Sequence, residues 1–348
     1  MAKSRVIGLD IGTTMVRAAE VEQEGRSGRA TLVSYGEVAL PPGAVEDAVV
    51  VSSTAVIGAL KQLWRETKFG SKDIVMGVGS STTAVREIDV AFMNMPELRL
   101  SLPFQVQELL PMPVDEAILD FYPGTQFDGP TGKMVRGLLV AATKRAVSAN
   151  VDAVEQASLH PQIVDLNALA LLRSAKVSER PESVVATVDI GASMTTVAIA
   201  ARGVPRLVRV IPVGGRDVTS AIARQLNMPV TDAEGLKRQI GSSPQIPQEW
   251  SLAIEAINEV NRSLVESIRN TFVYHQSNNP GAGIDKVVLT GGGAQLSGLP
   301  QLLSNSARIA VTFGDPLAGM TIGDKARRQI TVPVTMAVAV GLAQAVAA

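Results

Sequence analysis

Two stretches of the chain share one pattern of apolar and polar positions. Each has an apolar run, an aspartate, a glycine two residues later, small or hydroxylated residues, and a second apolar run; they read VIGLDIGTTMVRAAEV at 6–21 and VATVDIGASMTTVAIA at 185–200. Apolar runs on both sides of a glycine-containing turn predict a strand, a tight turn and a second strand. Two copies half a chain apart predict two similar domains that face each other across a cleft.

Outside these two stretches, the pattern of apolar and polar positions predicts strands and amphipathic helices in alternation. In the first half it predicts strands within 5–40 and at 73–78, with a helix at 53–68 between them. The segment at 85–160 has a different residue pattern. It predicts a strand at 86–90, a helix interrupted by prolines at 98–110, a glycine/proline turn at 126–133, a strand at 135–143 and a helix at 144–158. The second half predicts helices at 217–226, 231–240 and 250–275, and a strand at 285–289. We therefore expect an α/β protein with an inserted subdomain at 85–160.

The repeated turns have the chemistry of a phosphate site. Gly191 has no Cβ, so a phosphate oxygen can approach it closely, and backbone N–H groups with the Ser193 and Thr195 hydroxyls can donate to that oxygen. An aspartate cannot lie bare against phosphate, but Asp189, like its counterpart Asp10, can hold a hydrated Mg²⁺. The alternative for either copy alone is an ordinary β-hairpin with an Asx-type turn.

A third glycine-rich segment follows the strand predicted at 285–289. It reads TGGGAQLSGLP at 290–300, and consecutive glycines let the backbone approach a flat group such as adenine or its sugar. The segment matches neither the P-loop nor the G-x-G-x-x-G fingerprint. The alternative is a tight connection between a strand and a helix.

Composition narrows the classes of function. The chain has 348 residues, 46% of them hydrophobic, and a net charge of −1, which indicates a globular protein large enough for two domains and without the basic face that nucleic-acid binding needs. Cysteine is absent from the sequence, so disulfides and thiolate nucleophiles are excluded, and we interpret His160 and His275 as structural or surface residues. The apolar tail at 334–348 is too short to span a bilayer of about 30 Å, so we expect a buried helix in a cytoplasmic protein without direct membrane insertion.

The motifs DIGTT, DIGAS and TGGGAQLSGLP occur in the order of the phosphate 1, phosphate 2 and adenosine motifs of the actin/Hsp70/sugar-kinase superfamily. Over essentially its full length the chain most resembles the PilM family, actin-like cytoplasmic proteins of type IV pilus assembly that are related to the cell-division protein FtsA. The stretches that carry this resemblance are LLPMPV at 109–114, DFY at 120–122, LHPQIVDL at 159–166, PVGGRDVT at 212–219 and AEGLK at 233–237.

The resemblance implies an actin-like ATPase fold, in which two similar lobes (duplicated RNase H-like domains) surround a nucleotide cleft. The first lobe would comprise 1–182, with a base at 1–84 and 161–182 and an FtsA-type inserted subdomain at 85–160. The second lobe would comprise 183–348, with a base at 183–227 and 284–333 and a small subdomain at 228–283. Its C-terminal helix at 334–348 would pack back on the first lobe.

The resemblance also implies a site for ATP or ADP with Mg²⁺. Phosphate contacts fall on Gly12, Thr13, Thr14, Gly191, Ala192, Ser193 and Met194, and adenosine contacts on Gly291, Gly292, Gly293 and Ala294. Asp10 and Asp189 would be catalytic residues that hold Mg²⁺ through water. Glu234 and Lys237 occupy positions where similar proteins contact ribose or base; the alternative is an exposed intrahelical ion pair.

Two departures from the family pattern concern hydrolysis. Asn167 lies where related chains often carry a glutamate near the catalytic water, and an amide can position water but is no general base. Ala192 lacks the hydroxyl of its counterpart Thr13. We therefore expect ATP binding with at most slow hydrolysis.

The function that the resemblance implies is a nucleotide-dependent scaffold. It would dock the N-terminal cytoplasmic tail of a PilN-like inner-membrane protein, in a groove beside the insertion, and so lie at the inner membrane through its partner; a pilus motor ATPase is a second candidate partner. One alternative is a sugar-type kinase of the same fold, although no sugar-binding constellation is evident. Another is an FtsA-like division protein, which would end in a basic amphipathic membrane helix that this sequence lacks.

Overall fold

A computed structural model describes residues 3–24, 30–130, 132–175, 183–242, 247–296 and 298–345. The sequence also predicts a charged linker at 178–182, a charged turn at 22–29 and a proline-rich loop at 243–248; the linker and parts of the other two segments lie outside the described residues. Within the described ranges, no helix is long and apolar enough to cross a membrane.

The first half follows the predicted order of strands and helices. Its elements are β1 (Lys3–Ile11), β2 (Met15–Glu24), β3 (Ala30–Ala39), β4 (Val45–Glu46), β5 (Val49–Val50), α1 (Ser53–Thr67), β6 (Asp73–Val78), β7 (Ala84–Ala91), α2 (Met95–Val106), β8 (Ala117–Gly129), β9 (Gly132–Thr143), α3 (Lys144–Gln156), β10 (His160–Leu166) and α4 (Asn167–Ser174). The second half contains β11 (Val184–Ile190), β12 (Thr195–Ala201), β13 (Val204–Ile211), α5 (Gly215–Leu226), α6 (Val230–Ser242), α7 (Ser251–Asn278), β14 (Lys286–Thr290), α8 (Leu299–Ala307), β15 (Ala310–Phe313), β16 (Thr321–Ile322), α9 (Asp324–Gln329) and α10 (Ala337–Ala343).

The two large sheets share one topology. The first sheet has the order β10-β6-β1-β2-β3-β16 and the second has the order β13-β12-β11-β14-β15. In each, three consecutive antiparallel strands are followed by two strands that add in parallel beside the first of the three. The structure therefore confirms the prediction of two similar lobes, because the repeated turns join matching strands, β1–β2 and β11–β12.

Strand periodicity explains how the first sheet is covered on both faces. Successive side chains of a strand point to opposite faces, so Ile74 and Met76 of β6 join the core beneath α1 and α3, whereas Val75 packs against α4 and α10. The second sheet buries its β11 and β12 residues under α5, α7 and α8. α4 also contacts β12, and so lies between the two sheets.

The insertion is a three-stranded sheet in the order β7-β9-β8, and α2 packs against it through Leu98, Leu102 and Val106. The turn predicted at 126–133 is wrong in extent. β8 runs to Gly129 and β9 starts at Gly132, because the ladder continues through the pair Phe127–Met134. The helix predicted at 98–110 starts earlier, at Met95, where Asn94 accepts a hydrogen bond from the Glu97 N–H at 2.9 Å.

The chain returns to the first sheet after β15. β16 pairs with β3, and the Gln329 side chain accepts hydrogen bonds from the Tyr35 N–H at 3.0 Å and the Ser34 hydroxyl at 3.2 Å. The prediction that all of 284–333 belongs to the second lobe is therefore wrong for β16 and α9. The buried helix predicted within 334–348 is α10, whose residues are all buried against the first sheet and α4. The other boundaries of the lobes stay predictions.

Candidate functional site

The two repeated turns meet face to face. In the first turn (12–14) the Gly12 N–H donates to the Met15 carbonyl at 3.0 Å, and in the second turn (191–194) the Gly191 N–H donates to the Met194 carbonyl at 2.9 Å. The hydroxyls of Thr13 and Ser193 are 2.6 Å apart and share a hydrogen bond. The structure thus brings together two segments that are half a chain apart in sequence.

The second turn is also held by the start of α5. The Gly215 N–H donates to the Gly191 carbonyl at 3.0 Å, and the Arg216 N–H donates to the Ala192 carbonyl at 2.7 Å. A Cβ on Gly214 would lie 2.7 Å from the Ala192 carbonyl oxygen, so only glycine allows this approach. The first N–H groups of α5 therefore orient the second turn.

Asp10 and Asp189 form the electrostatic centre of the cleft. Burial raises the pKa of Asp10, and Arg17 opposes that change. Burial, and then the charge of Asp10, raise the pKa of Asp189 to about 7. Each carboxylate is thus destabilised by its low-polarity surroundings, and a hydrated Mg²⁺ between them would relieve both the burial and the repulsion. The residues present therefore fit the ion that the resemblance implies.

Arg17 is a residue that the sequence reasoning missed. It stands opposite Asp10 in the β1–β2 ladder, and its Nε donates to Glu37 Oε2 at 3.2 Å. The Tyr35 hydroxyl donates to the same carboxylate oxygen at 2.9 Å. This places a guanidinium beside the first turn, because its Nη1 lies 3.8 Å from where a Cβ on Gly12 would stand. The available signal was a single basic residue in the otherwise apolar part of a strand after Asp10.

The glycine-rich segment at 291–294 lies beside the carboxylates. Gly291 has a φ of +83°, and a Cβ there would lie 2.7 Å from Asp189 Oδ1. A Cβ on Gly293 would lie 2.5 Å from Ile190 Cγ2. Both glycines are thus explained by the tight connection that was the alternative interpretation, whereas the nearest atom to a Cβ on Gly292 is 3.9 Å away. A role of 291–294 in binding adenosine stays a prediction.

Glu234 and Lys237 form a partly buried network rather than an exposed pair. Lys237 Nζ donates to Glu234 Oε2 at 2.6 Å, to Thr219 Oγ1 at 2.8 Å and to the Gly215 carbonyl at 3.0 Å. Burial alone would raise the pKa of Glu234, but hydrogen bonds from Lys237, Thr219 and Arg238 hold that pKa below its ordinary value. The network ties α6 to the start of α5, next to the second turn; contact with ribose or base stays a prediction.

Asn167 is the first residue of α4, at the carboxyl end of β10. Its Oδ1 is buried and has no hydrogen-bond partner among the described residues. A Cβ on Gly77 would overlap this oxygen, so the side chain lies over the glycines at the end of β6. An unpaired amide oxygen fits a residue that positions water, which is the role predicted for it.

A family model described as "Type IV pilus assembly protein PilM" matches residues 8–345. The chain belongs to the PilM family of type IV pilus assembly proteins. This agrees with a solved chain of a PilM–PilN type IV pilus biogenesis complex, which has 26% sequence identity and a TM-score of 0.84, with coverage of 98% of both chains. The family assignment confirms the resemblance found in the sequence.

More distant relatives share the actin-like fold. The cell division protein FtsA of Streptococcus pneumoniae is 24% identical over 335 residues, which cover 85% of this chain and 72% of that protein. MreB5 of Spiroplasma citri, solved bound to ADP, is 13% identical with a TM-score of 0.53, and the match covers 97% of this chain and 94% of that chain. These similarities place the PilM-family chain in the actin-like ATPase fold class.

Proposed function

We propose that this PilM-family protein is an ATP-binding scaffold of type IV pilus assembly. The observation that carries the proposal is the meeting of the two matching turns, with Thr13 and Ser193 in contact and Asp10 and Asp189 behind them. Glycines, backbone N–H groups and hydroxyls in the turns are suited to phosphate oxygens. The neighbouring guanidinium of Arg17 adds a positive charge for the same anion.

Residues of both lobes would contact the nucleotide. The turns at 12–14 and 191–194 would bind the phosphates, Asp10 and Asp189 would hold Mg²⁺ through water, and 291–294 with Glu234 and Lys237 would face the nucleoside. When bound, Mg²⁺ supplies charge neutralisation for the phosphates and the carboxylates. Asn167 can orient water but cannot accept its proton, so hydrolysis would be slow.

Calorimetry with ATP, in the presence and absence of Mg²⁺, tests the nucleotide site. We expect binding that is tighter with Mg²⁺, and turnover well below the typical enzyme range of about 1–10³ s⁻¹. Absence of binding at millimolar ATP would contradict the nucleotide site. Turnover within that range would contradict the scaffold.

The partner would be the N-terminal cytoplasmic tail of a PilN-like inner-membrane protein, held where the insertion meets the first lobe. The insertion exposes large apolar side chains to solvent, which is typical of an interaction surface. Leu100 and Phe104, one helical turn apart on α2, are 77% and 83% exposed. The opposite face of the same helix buries Leu98 and Leu102 in the core of the insertion. A segment docked beside α2 would leave the protein in the cytoplasm and attach it to the membrane only through its partner.

A photo-crosslinker placed along 85–115, with the partner's N-terminal tail supplied as a peptide, tests the docking site. We expect crosslinks within the insertion and the adjoining first lobe. Crosslinks confined to 228–283 would place the partner on the other lobe. Release of ADP that depends on an added sugar would instead support the kinase alternative.

A further inference from the structure

The insertion contacts the second lobe as well as the first. Arg206 lies on β13, the edge strand of the second sheet; its Nη1 donates to Glu87 Oε1 on β7 at 3.2 Å, and its Nη2 donates to Thr125 Oγ1 on β8 at 3.1 Å. One guanidinium therefore joins the second sheet to two strands of the inserted sheet. We call this contact the Arg206 joint.

The Arg206 joint is more than a solvated ion pair. The side chains of Arg206 and Glu87 are only 20% and 25% exposed. Beside them, Leu138 of β9 packs in one buried apolar cluster with Ala198 and Val208 of the second sheet. Partly buried, hydrogen-bonded charges beside an apolar contact restrict the movement of β13 relative to the inserted sheet, so a shift of β13 would displace the inserted sheet as well.

A buried histidine of the second lobe lies near the Arg206 joint. His275 of α7 is 1% exposed and lies near Glu87 and Arg206. Burial lowers the pKa of His275, so the imidazole is neutral at neutral pH.

The insertion has a separate anchor on the first lobe. α3 contributes Ala153 and Val154 to the core beneath the first sheet. Asn150 of the same helix accepts a hydrogen bond from the Val50 N–H at 2.8 Å and donates one to the Ala48 carbonyl at 2.8 Å. The insertion is thus held on the first lobe by α3, and by α4 through the cluster that contains Leu138, and it is held on the second lobe by Arg206.

A phosphate placed between the two turns would change the cleft between the lobes. The Thr13 and Ser193 hydroxyls are 2.6 Å apart, which leaves no room for a phosphate between them. A phosphate bound between the turns would separate them and shift the second sheet relative to the first. β13 follows that shift, because an antiparallel ladder joins it through β12 to β11, the strand that leads into the second turn.

We propose that the Arg206 joint couples nucleotide binding in the cleft to the partner groove beside the insertion. This inference rests on the proposed function, and adds to it the contact through which the two ligands influence each other's affinity. Displacement of the inserted sheet about its anchor on α3 changes the width of the groove between the insertion and the first lobe. The coupling acts through a contact that touches neither ligand.

The first test measures both affinities in the complete protein. The probes are ATP-Mg²⁺ and a synthetic peptide with the N-terminal cytoplasmic sequence of the PilN subunit from the same bacterium. We expect each ligand to change the other's affinity by the same factor, within the typical range of about 5–150-fold. Glu87→Gln and Arg206→Met should bring this factor close to one, while each ligand alone still binds with an affinity within about 2-fold of the original protein.

Asp89→Asn is the matched control. Asp89 lies two residues from Glu87 on β7, but its partner is Arg136 of the same inserted sheet, with Nε to Oδ1 at 2.7 Å. This pair does not cross to the second lobe, so the coupling should survive its loss. Retention of the full coupling in both Glu87→Gln and Arg206→Met would overturn the inference.

A second measurement follows the movement without the peptide. The sequence has no cysteine, so Lys61→Cys on α1 and Gln126→Cys on β8 can carry a pair of spin labels at exposed positions. The distance between the labels should change on addition of ATP-Mg²⁺, and should stay constant when Arg206→Met is added. A constant distance in the protein with Arg206 intact, when ATP is bound, would overturn the inference while leaving the proposed function in place. Failure to bind either probe would overturn the proposed function and the coupling with it.

Discussion

Thr13 Oγ1 and Ser193 Oγ are 2.6 Å apart, although the two residues are 180 positions apart in the chain. They do not occupy equivalent positions, since alignment of Asp10 with Asp189 matches Ser193 to Thr14 and leaves Ala192 opposite Thr13. The contact between the lobes is therefore asymmetric: each turn supplies a hydroxyl from a different position.

Ser193→Ala should weaken ATP binding by roughly 5-fold. A hydrogen bond to a charged phosphate contributes about 1.5–3 kcal/mol, whereas the neutral hydroxyl pair lost from the free protein contributes about 0.5–1.5 kcal/mol. The difference favours the ATP-bound state by about 1 kcal/mol, which corresponds to a factor of roughly 5 in the dissociation constant. Calorimetry measures this change, with Ser277→Ala on the exposed part of α7 as control; equal affinities would show that Ser193 makes no phosphate contact.

Gly12→Val and Gly191→Val should abolish nucleotide binding and leave the fold intact. A Cβ at either position would lie 3.1 Å from the carbonyl oxygen that closes its own turn, so the backbone needs to adjust by only a few tenths of an ångström. The added methyl groups would instead occupy the approach of a phosphate oxygen. Binding and thermal unfolding are compared with Gly58→Val, where a Cβ on α1 meets no atom within 4 Å. Unchanged ATP affinity in the folded turn variants would limit the turns to a structural role.

Mg²⁺-dependent ATP affinity should increase between about pH 6 and about pH 8, because Asp189 must lose its proton to hold the ion. The pKa of this carboxyl is raised from 3.8 to about 7 by burial and by the charge of Asp10. Between these two values the folded state holds more protons than the unfolded state, so the free energy of unfolding of the nucleotide-free protein should fall as pH rises through this window.

Calorimetry across this pH range, with and without a chelator of Mg²⁺, measures the effect. Asp189→Asn should remove the pH dependence, and Asp10→Asn should move its midpoint to lower pH because the repelling charge is gone. Asp10→Ala should cost more affinity in the presence of Mg²⁺ than in its absence. A pH profile that is the same in Asp189→Asn would assign the titration to another group.

Gly341→Ala should destabilise the protein by about 1–3 kcal/mol, as expected for overpacking of a core. Gly341 lies in the buried helix α10, and a Cβ there would overlap the Ala170 carbonyl oxygen of α4. Gly235→Ala is the matched control, since a Cβ at this position of α6 meets no atom within 4 Å and should stabilise the protein by about 0.4–1 kcal/mol. Urea unfolding compares the two; similar midpoints would mean that α10 is not closely packed against α4.

The sequence by itself determined many of the strands and helices and the two matching turns. These features depend on local alternation of apolar residues and on glycines at fixed places, which can be read within a window of a few residues. The sequence also identified both copies of the Asp-Ile-Gly motif and the glycine-rich segment, since each motif consists of consecutive residues. The extent of the hairpin between β8 and β9 was missed, because the pairing Phe127–Met134 outweighs the turn propensity of the nearby glycines and proline.

Only the tertiary structure decided which distant residues meet. The pairing of β16 with β3 and the network around Glu234 each join elements whose contact leaves no local pattern. The same holds for Arg206 and Glu87, which are 119 positions apart in two different sheets. Such contacts arise because the two lobes and the insertion close around shared apolar surfaces, and burial makes each missing hydrogen bond of the enclosed polar groups costly.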